Sequence, residues 1–310
     1  MKRIVAGLLL SFIGLGGLAI VALIAVRIHP PLAIFGLAVW RGHPSCSALE
    51  SYHSAEQRML QLETQRRIQP QFRQVGQDGR YRQWDTPDGR YWTADSNDAV
   101  LPILVAQQMS GIYRLPGPGR SARAGDVVID CGAHIGTYVR RALAEGAARV
   151  VAIEPAPGNV ECLRRNFPEQ VASGSVVIRA AGVWDKQDKL TLYEDPQNSA
   201  AAGFVQPGQR HQASVEVPLT TIDQIVEELG LTKVDIIKMD IKGATVRALV
   251  GAGKTIPRFH PAIVLSTEED GEDAAKLLEL VRKIDSRYSL ACTSCSLENW
   301  QIRPDVVVLQ

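Results

Sequence analysis

The chain has 310 residues, 45% of them hydrophobic, with 34 basic side chains against 33 acidic ones. That length holds one large domain with extensions, or two small domains, and the balanced charge gives no support for a nucleic-acid partner, so none is expected. The five cysteines are an odd number, widely scattered; they do not form a disulfide framework and point to a reducing compartment.

Residues 4–26 are 23 consecutive positions without a charge, flanked by Lys2, Arg3 and Arg27. At about 1.5 Å per residue a helix of that length measures roughly 34 Å, enough to cross a hydrocarbon core of about 30 Å. A signal peptide would have an apolar region of only about 7 to 15 residues and a small-residue cleavage site. Residues 1–30 are therefore expected to be a retained, single-pass transmembrane anchor. Basic residues on both flanks leave its orientation open. The apolar stretch 31–40 is too short to span; it either lies at the membrane interface or packs on the protein. Residues 31–75 are expected to be a juxtamembrane stalk and linker, with a helix over 54–67. In a small extension, 76–119, the Pro87-Asp88-Gly89 turn between aromatic-rich flanks predicts a β-hairpin, followed by a helix over 95–113.

From residue 120 to 310 strand and helix alternate. Strands are predicted at 127–131, 149–153, 175–179, 235–239 and 262–266. Two more, at 189–193 and 214–219, interrupt the alternation, and a consecutive pair, 288–292 and 305–309, ends the chain. The expectation is an α/β, Rossmann-like domain with a mostly parallel sheet, helices on both faces and an antiparallel terminal hairpin.

The strongest chemical signal is Asp126-Val127-Val128-Ile129-Asp130-Cys131-Gly132-Ala133-His134-Ile135-Gly136, a strand running into Asp130, a glycine-bearing loop and a helix start. Glycine admits a ligand where a side chain would block it, and the helix start adds free N–H groups and partial positive charge. Glu154 ends the next strand, where an acid accepts both hydrogen bonds of a ribose diol. The loop lacks the G-x-G-x-x-G of a pyrophosphate site, which disfavours a nicotinamide cofactor. S-adenosylmethionine carries no phosphate and presents a cationic amine, which suits Asp130.

Three blocks resemble the FkbM-type family of O-methyltransferases, class I enzymes with a seven-stranded sheet. They are Ile129 through Tyr138; Val151-Ala152-Ile153-Glu154-Pro155-Ala156-Pro157-Gly158-Asn159-Val160 with Leu163 and Asn166; and Val217 through Asp223 followed by Asp235-Ile236-Ile237-Lys238-Met239-Asp240-Ile241-Lys242-Gly243-Ala244. The resemblance covers residues 120–310. It implies that Asp130, Gly132 and Gly136 line the methionine end of S-adenosylmethionine and that Glu154 holds the ribose. Ala133, His134, Tyr138 and Pro155 complete the cofactor-binding set. It also implies methylation of a hydroxyl on a glycan or other small molecule, an in-line displacement that needs alignment and proton removal.

The third block departs from the family pattern Lys-apolar-Asp-apolar-Glu-Gly-Ala-Glu, because Lys242 and Thr245 stand where the glutamates would be. Asp240 remains at the strand end, as the candidate base or as a helix cap. Lys238 is either a substrate contact or an ion-pair partner of Asp240, and Lys242 either a solvated helix residue or a contact for an anionic group. His134 suits a backbone or packing role better than a base. Glu268, Glu269 and Asp270 form an acidic turn near the acceptor side. Cys292-x-x-Cys295 has zinc or redox spacing but no second pair, so no metal is expected. Trp84, Tyr91 and Trp92 either pack the hairpin or cover a sugar.

The resulting expectation is a membrane-anchored, S-adenosylmethionine-dependent O-methyltransferase whose catalytic domain faces the cytosol, where the cofactor is supplied. The alternative is a pseudo-methyltransferase that keeps the fold and acts as a binding or scaffold protein.

Overall fold

The computed structural model describes residues 27–42, 45–94, 98–117, 119–195, 198–203, 213–267, 273–299 and 301–310. The expected anchor, 4–26, and the acidic turn Glu268, Glu269 and Asp270 lie outside the described residues. Among the described residues no helix is long and apolar enough to cross a membrane.

The main sheet has seven strands in the order β13-β14-β12-β11-β4-β5-β6. These are β4 (Val127–Cys131), β5 (Arg149–Ile153), β6 (Val176–Arg179), β11 (Ile236–Met239), β12 (Ala262–Ser266), β13 (Leu290–Glu298) and β14 (Gln301–Leu309). The strands from β6 to β12 run parallel, and β14 pairs antiparallel with both β12 and β13. The Rossmann-like fold and its antiparallel terminal hairpin are thus as expected, although β13 and β14 are each 9 residues long and outgrow the predicted segments.

Both faces of this sheet are buried, so its strands read as near-continuous apolar runs, and the two-residue period sorts them. Ile129, Cys131, Val151, Ile153, Ile237, Met239, Ile263 and Leu265 pack on one face. Val128, Val150, Ala152, Ile236, Val264 and Val308 pack on the other, against Tyr138, Val139, Leu163 and Phe167. The interrupting strands fold away from this frame. They are β8 (Asp188–Asp195) and β10 (Ala213–Thr220), which with β7 (Gly182–Val183) and β9 (Asn198–Gly203) make a four-stranded sheet in the order β7-β10-β8-β9.

The predicted hairpin is present as β2 (Tyr81–Thr86) and β3 (Gly89–Ala94), joined by β1 (Arg73–Asp78) in a three-stranded sheet. The helix after it, α3, is shorter than predicted, Leu101–Ser110, ending at Gly111 with φ 79°.

The largest departure concerns residues 31–75. The helix expected as a stalk, α2 (Ala48–Ile68), is 21 residues long and opens with a capping box between Ser47 and Glu50. Its face of small and polar residues, Ser51, Ser54, Ala55, Gln61 and Thr64, is buried. The 31–40 stretch is α1 (Pro31–Arg41), and of the two expectations for it the packing one holds: Ile34 and Ala38 sit in a cluster with Ala55, Cys295 and Ile302. Cys46 is disulfide-bonded to Cys292 of β13 across 246 residues of sequence. This corrects the reading of the cysteines as unpaired, which rested on spacing alone and saw nothing of partners that meet only in the fold.

Candidate active site

The site lies at the carboxyl ends of β4, β5 and β11. In the register of β11 against β4, Lys238 is opposite Asp130, so both side chains project from the same face. Lys238 Nζ lies 3.1 Å from Asp130 Oδ1 and donates to the Gly132 carbonyl at 3.2 Å. The rings of Tyr113 and Tyr138 enclose it, their centroids 5.6 and 5.7 Å away. The partner of Lys238 is therefore Asp130 and not Asp240, and the lysine fixes the loop from beneath. Burial raises the Asp130 pKa, opposed by the ammonium of Lys238 and reinforced by the charge of Asp240. Burial alone would lower that of Lys238, but Asp130 and Asp240 outweigh it and the amine is held charged. Apart from the ion pair, neither oxygen of the buried Asp130 has a hydrogen-bond partner among the described residues.

The loop 132–136 is shaped by three left-handed residues, Gly132 at φ 76°, His134 at 53° and Gly136 at 92°. The backbone N–H groups of Gly132 and Ala133 donate to the Ile153 carbonyl. A Cβ on Gly132 would stand 2.3 Å from the Asp240 carbonyl oxygen, and one on Gly136 would stand 2.2 Å from the Phe167 ring. Both glycines serve the turn and close packing of the protein on itself; the clearance expected for a ligand is filled by Asp240 and Phe167.

Glu154, also buried, knits the loop together. It accepts from His134 N at 2.9 Å, Ala156 N at 3.0 Å and Asn159 Nδ2 at 3.2 Å. Burial pushes its pKa up against the pull of those three donors. A carboxylate has about four acceptor positions, so one is left for a ribose hydroxyl. Burial also drives the His134 pKa down to about 4, so its imidazole is neutral at physiological pH. Helix α4 (Thr137–Ala144) starts directly after Gly136. The ring of Tyr138 is buried against Tyr113, and its hydroxyl donates to the Ser121 carbonyl at 3.1 Å, which makes it a floor for the site. Pro155 is half-buried at the start of the following turn.

Asp240 follows β11, and its Oδ2 accepts from the Tyr113 hydroxyl at 3.0 Å. It is only partly buried, which leaves it open to an acceptor. Thr245 is buried with its hydroxyl 3.5 Å from the Ile241 carbonyl at the start of α6 (Thr245–Val250), and Lys242 is half-buried. Sequence reasoning gave no role to Tyr113, nor to Asn159 and Asn166 although both stand among the quoted residues. Asn166, at the end of α5 (Pro157–Asn166), accepts from Trp92 N at 2.6 Å and donates to the Trp92 and Ile135 carbonyls. It latches the aromatic hairpin to the loop. Asn166 does stand in the second quoted block, whereas no local pattern marks Tyr113. The hairpin aromatics do the packing work expected of them: Tyr91 is fully buried, and the Trp84 indole donates to Thr93 and Asp98.

The Methyltransferase FkbM domain model matches residues 130–288. The hexuronic acid methyltransferase AglP of Haloferax volcanii is 28% identical over 162 residues, 51% of this chain and 63% of that protein. The chain thus aligns with less than two thirds of that relative. Among solved structures, the methyltransferase FkbM from Methylobacillus flagellatus KT is similar at 19% identity and a TM-score of 0.46, over 70% of this chain and 56% of that one. M. jannaschii TYW2, solved in complex with AdoMet, is similar at 13% identity and a TM-score of 0.41, over 76% of this chain and 86% of that one.

Proposed function

The chain belongs to the FkbM methyltransferase family, whose methyl donor is S-adenosylmethionine, and from that premise we propose that it is a membrane-anchored O-methyltransferase acting on a hydroxyl of a glycan or similar hydroxylated molecule. The observation that carries the cofactor side is Asp130, a buried carboxylate that, beyond its ion pair with Lys238, receives no hydrogen bond among the described residues. An orphaned acceptor of that kind suits the cationic amine of the methionine end. The remaining acceptor position of Glu154 suits a ribose hydroxyl.

Bound there, S-adenosylmethionine supplies an electrophilic methyl group. The residues of the chain then have separable tasks. Lys238 and Glu154 fix the loop so that its backbone does not have to reorganise. His134 stays neutral and adds no positive charge beside a sulfonium. Asp240 would accept the proton of the acceptor hydroxyl, and Tyr113 holds that carboxylate in place. The name of the Haloferax relative favours a hexuronate-containing acceptor, and half-buried Lys242, where the resembled family carries an acid, suits a carboxylate there.

Anchoring by residues 4–26 is supported by the 23 uncharged positions they provide and by apolar side chains left exposed in the stretch that follows, Ile28 ahead of α1 and Val39 and Trp40 on it. The catalytic domain is placed in the cytosol because the cofactor is made there. A second reading, a binding protein that keeps the cofactor, is favoured by the acid-free pair Lys242 and Thr245.

Both readings are tested by calorimetric titration of S-adenosylmethionine into the detergent-solubilised chain, with label transfer to hexuronate acceptors. Binding lost in Asp130→Ala and Glu154→Ala, with transfer lost in Asp240→Asn, supports the enzyme. Binding without transfer to any hydroxylated acceptor supports the second reading, and no binding by the folded chain sinks both.

A further inference from the structure

Two strands away from Asp240, on the same edge of the sheet, a second polar recess opens. It has a volume of about 310 Å³ and is lined by Arg58 of α2, Thr267, Ser296, Arg303 and Asp305 among others. The register fixes where it lies. Met239 pairs with Leu265 and Ser266 with Val306, so Thr267 and Asp305 stand at the carboxyl edge of β12 and beside it on β14, level with the residues just after β11. Adjacent strands are about 4.8 Å apart, so Thr267 stands one strand spacing and Asp305 two, roughly 10 Å, from the end of β11, on the side away from the loop 132–136.

Its chemistry is specific. Asp305 is 4% exposed and accepts from Ser296 at 2.7 Å and Ser294 at 3.3 Å. Arg58 stands 3.8 Å from it, and Arg303 pairs with Glu298. The wall thus offers carboxylate acceptors, guanidinium donors and hydroxyls in near-balanced charge, a set that reads the hydroxyls of a sugar ring better than a lone phosphate or an apolar group. The placement in sequence is equally telling. Arg58, Ser296, Arg303 and Asp305 all lie outside the matched residues 130–288. They belong to the arm and hairpin that the Cys46–Cys292 disulfide holds together.

We propose that this recess is an acceptor subsite that binds a neighbouring sugar unit of an oligosaccharide whose methylated hydroxyl sits at Asp240. The proposal rests on the glycan reading above and narrows it: the substrate is a chain of sugars, and its selection is made by parts of the protein outside the shared domain.

The test uses the full chain in detergent, saturated with S-adenosylhomocysteine, with galacturonic acid and its linear trimer as probes. NMR titration measures binding, and label transfer from S-adenosylmethionine is measured separately. The trimer is expected to bind roughly tenfold tighter than the monomer, the worth of one or two net hydrogen bonds. Arg58→Gln and Ser296→Ala should each erase most of that preference without changing S-adenosylmethionine affinity, which also shows that the variants fold. Equal binding of monomer and trimer, no binding of either, or a preference that survives both substitutions overturns the subsite. Trimer preference without methyl transfer leaves the subsite standing and counts against the reaction; transfer without preference strikes the subsite alone.

Discussion

The hydroxyl of Tyr113 donates to Oδ2 of Asp240 at 3.0 Å, joining two residues 127 positions apart in the chain. One comes from the turn after α3 and the other from the end of β11, so the candidate base is oriented by a segment outside the matched domain. Removing the carboxylate in Asp240→Asn is expected to lower kcat about 10²- to 10⁴-fold, the usual worth of a positioned base. Tyr113→Phe should cost about tenfold, and the double variant should resemble Asp240→Asn alone, because the two residues act as a unit. Steady-state kinetics with calorimetric control of cofactor affinity checks this, and additive losses would separate the pair.

Lys238→Met removes the partner of a carboxylate that has no other. Leaving one buried charge uncompensated costs about 3–5 kcal/mol, so urea denaturation should show a loss of that order. Asp130→Asn placed on top of Lys238→Met should recover a large part of it, because the orphaned charge is then gone. A double variant no more stable than Lys238→Met would show that the ion pair is not what the lysine contributes.

The neutral His134 makes a prediction about pH. Its folded pKa is about 4 against 6.5 for an ordinary histidine, so between those values the unfolded chain binds a proton that the folded chain refuses. Stability from this group is therefore complete above about pH 6.5, falls as the pH drops toward 4, and changes no further below that. Discounted for the solvent contact the side chain keeps, the loss is on the order of 2 kcal/mol. His134→Asn, which tolerates the positive φ, should flatten the thermal melting profile between pH 4 and 6.5 relative to the unsubstituted chain. An unchanged slope would refute the assignment.

Gly136→Ala should lower stability by about 2–3 kcal/mol through the positive φ and the clash with Phe167. If the glycine serves packing, Phe167→Leu in the same chain should relieve part of the penalty. If it serves ligand clearance, that second substitution should add to the loss and cofactor affinity should fall alone. Thermal melts and calorimetry on both variants tell these apart.

The Cys46–Cys292 bond closes a loop with a sequence separation of 246. Cross-links of this kind contribute about 2–4 kcal/mol, so a reductant should lower the midpoint of the transition that involves α2 by several degrees. Cys46→Ser should show the lower midpoint without reductant and no further response to it. A melt insensitive to both would mean the thiols are unlinked in solution.

The parts of the molecule legible in sequence are those that depend on neighbours in the chain. The run 127–131 into Asp130 declares a buried strand and its turn, and Pro87-Asp88-Gly89 declares a hairpin, because periodicity and turn chemistry are local. The hairpin at the chain end was visible but its length was not, since Ser294, Ser296 and Pro304 look like loop residues until Asp305 and α2 bury that stretch. The role of α2 was hidden for a related reason: its buried face is mostly serine, threonine and glutamine, and Ala55 and Ile68 are too far apart to make an apolar stripe. At the site, sequence placed Asp130, Lys238, Glu154 and Asp240 in one region, while their pairing followed only from register. Lys238 lies opposite Asp130 because β11 adjoins β4, although Asp240 is the nearer acid in sequence.

The entry of the chain into the folded body sets a limit on movement. His29 already bonds the Tyr52 hydroxyl at 3.0 Å and lies 3.4 Å from Glu56, so only Arg27 and Ile28 separate residue 26 from the first fixed contact. Even fully extended, at about 3.5 Å per residue, such a leash reaches no more than roughly 10 Å. On the proposed anchoring, such a protein searches a plane and not a volume. Arg58 stands only two positions beyond Glu56, so acceptors held at that same plane would meet the domain at a far higher local concentration than free ones. A short leash thereby acts as a filter for where the substrate is kept.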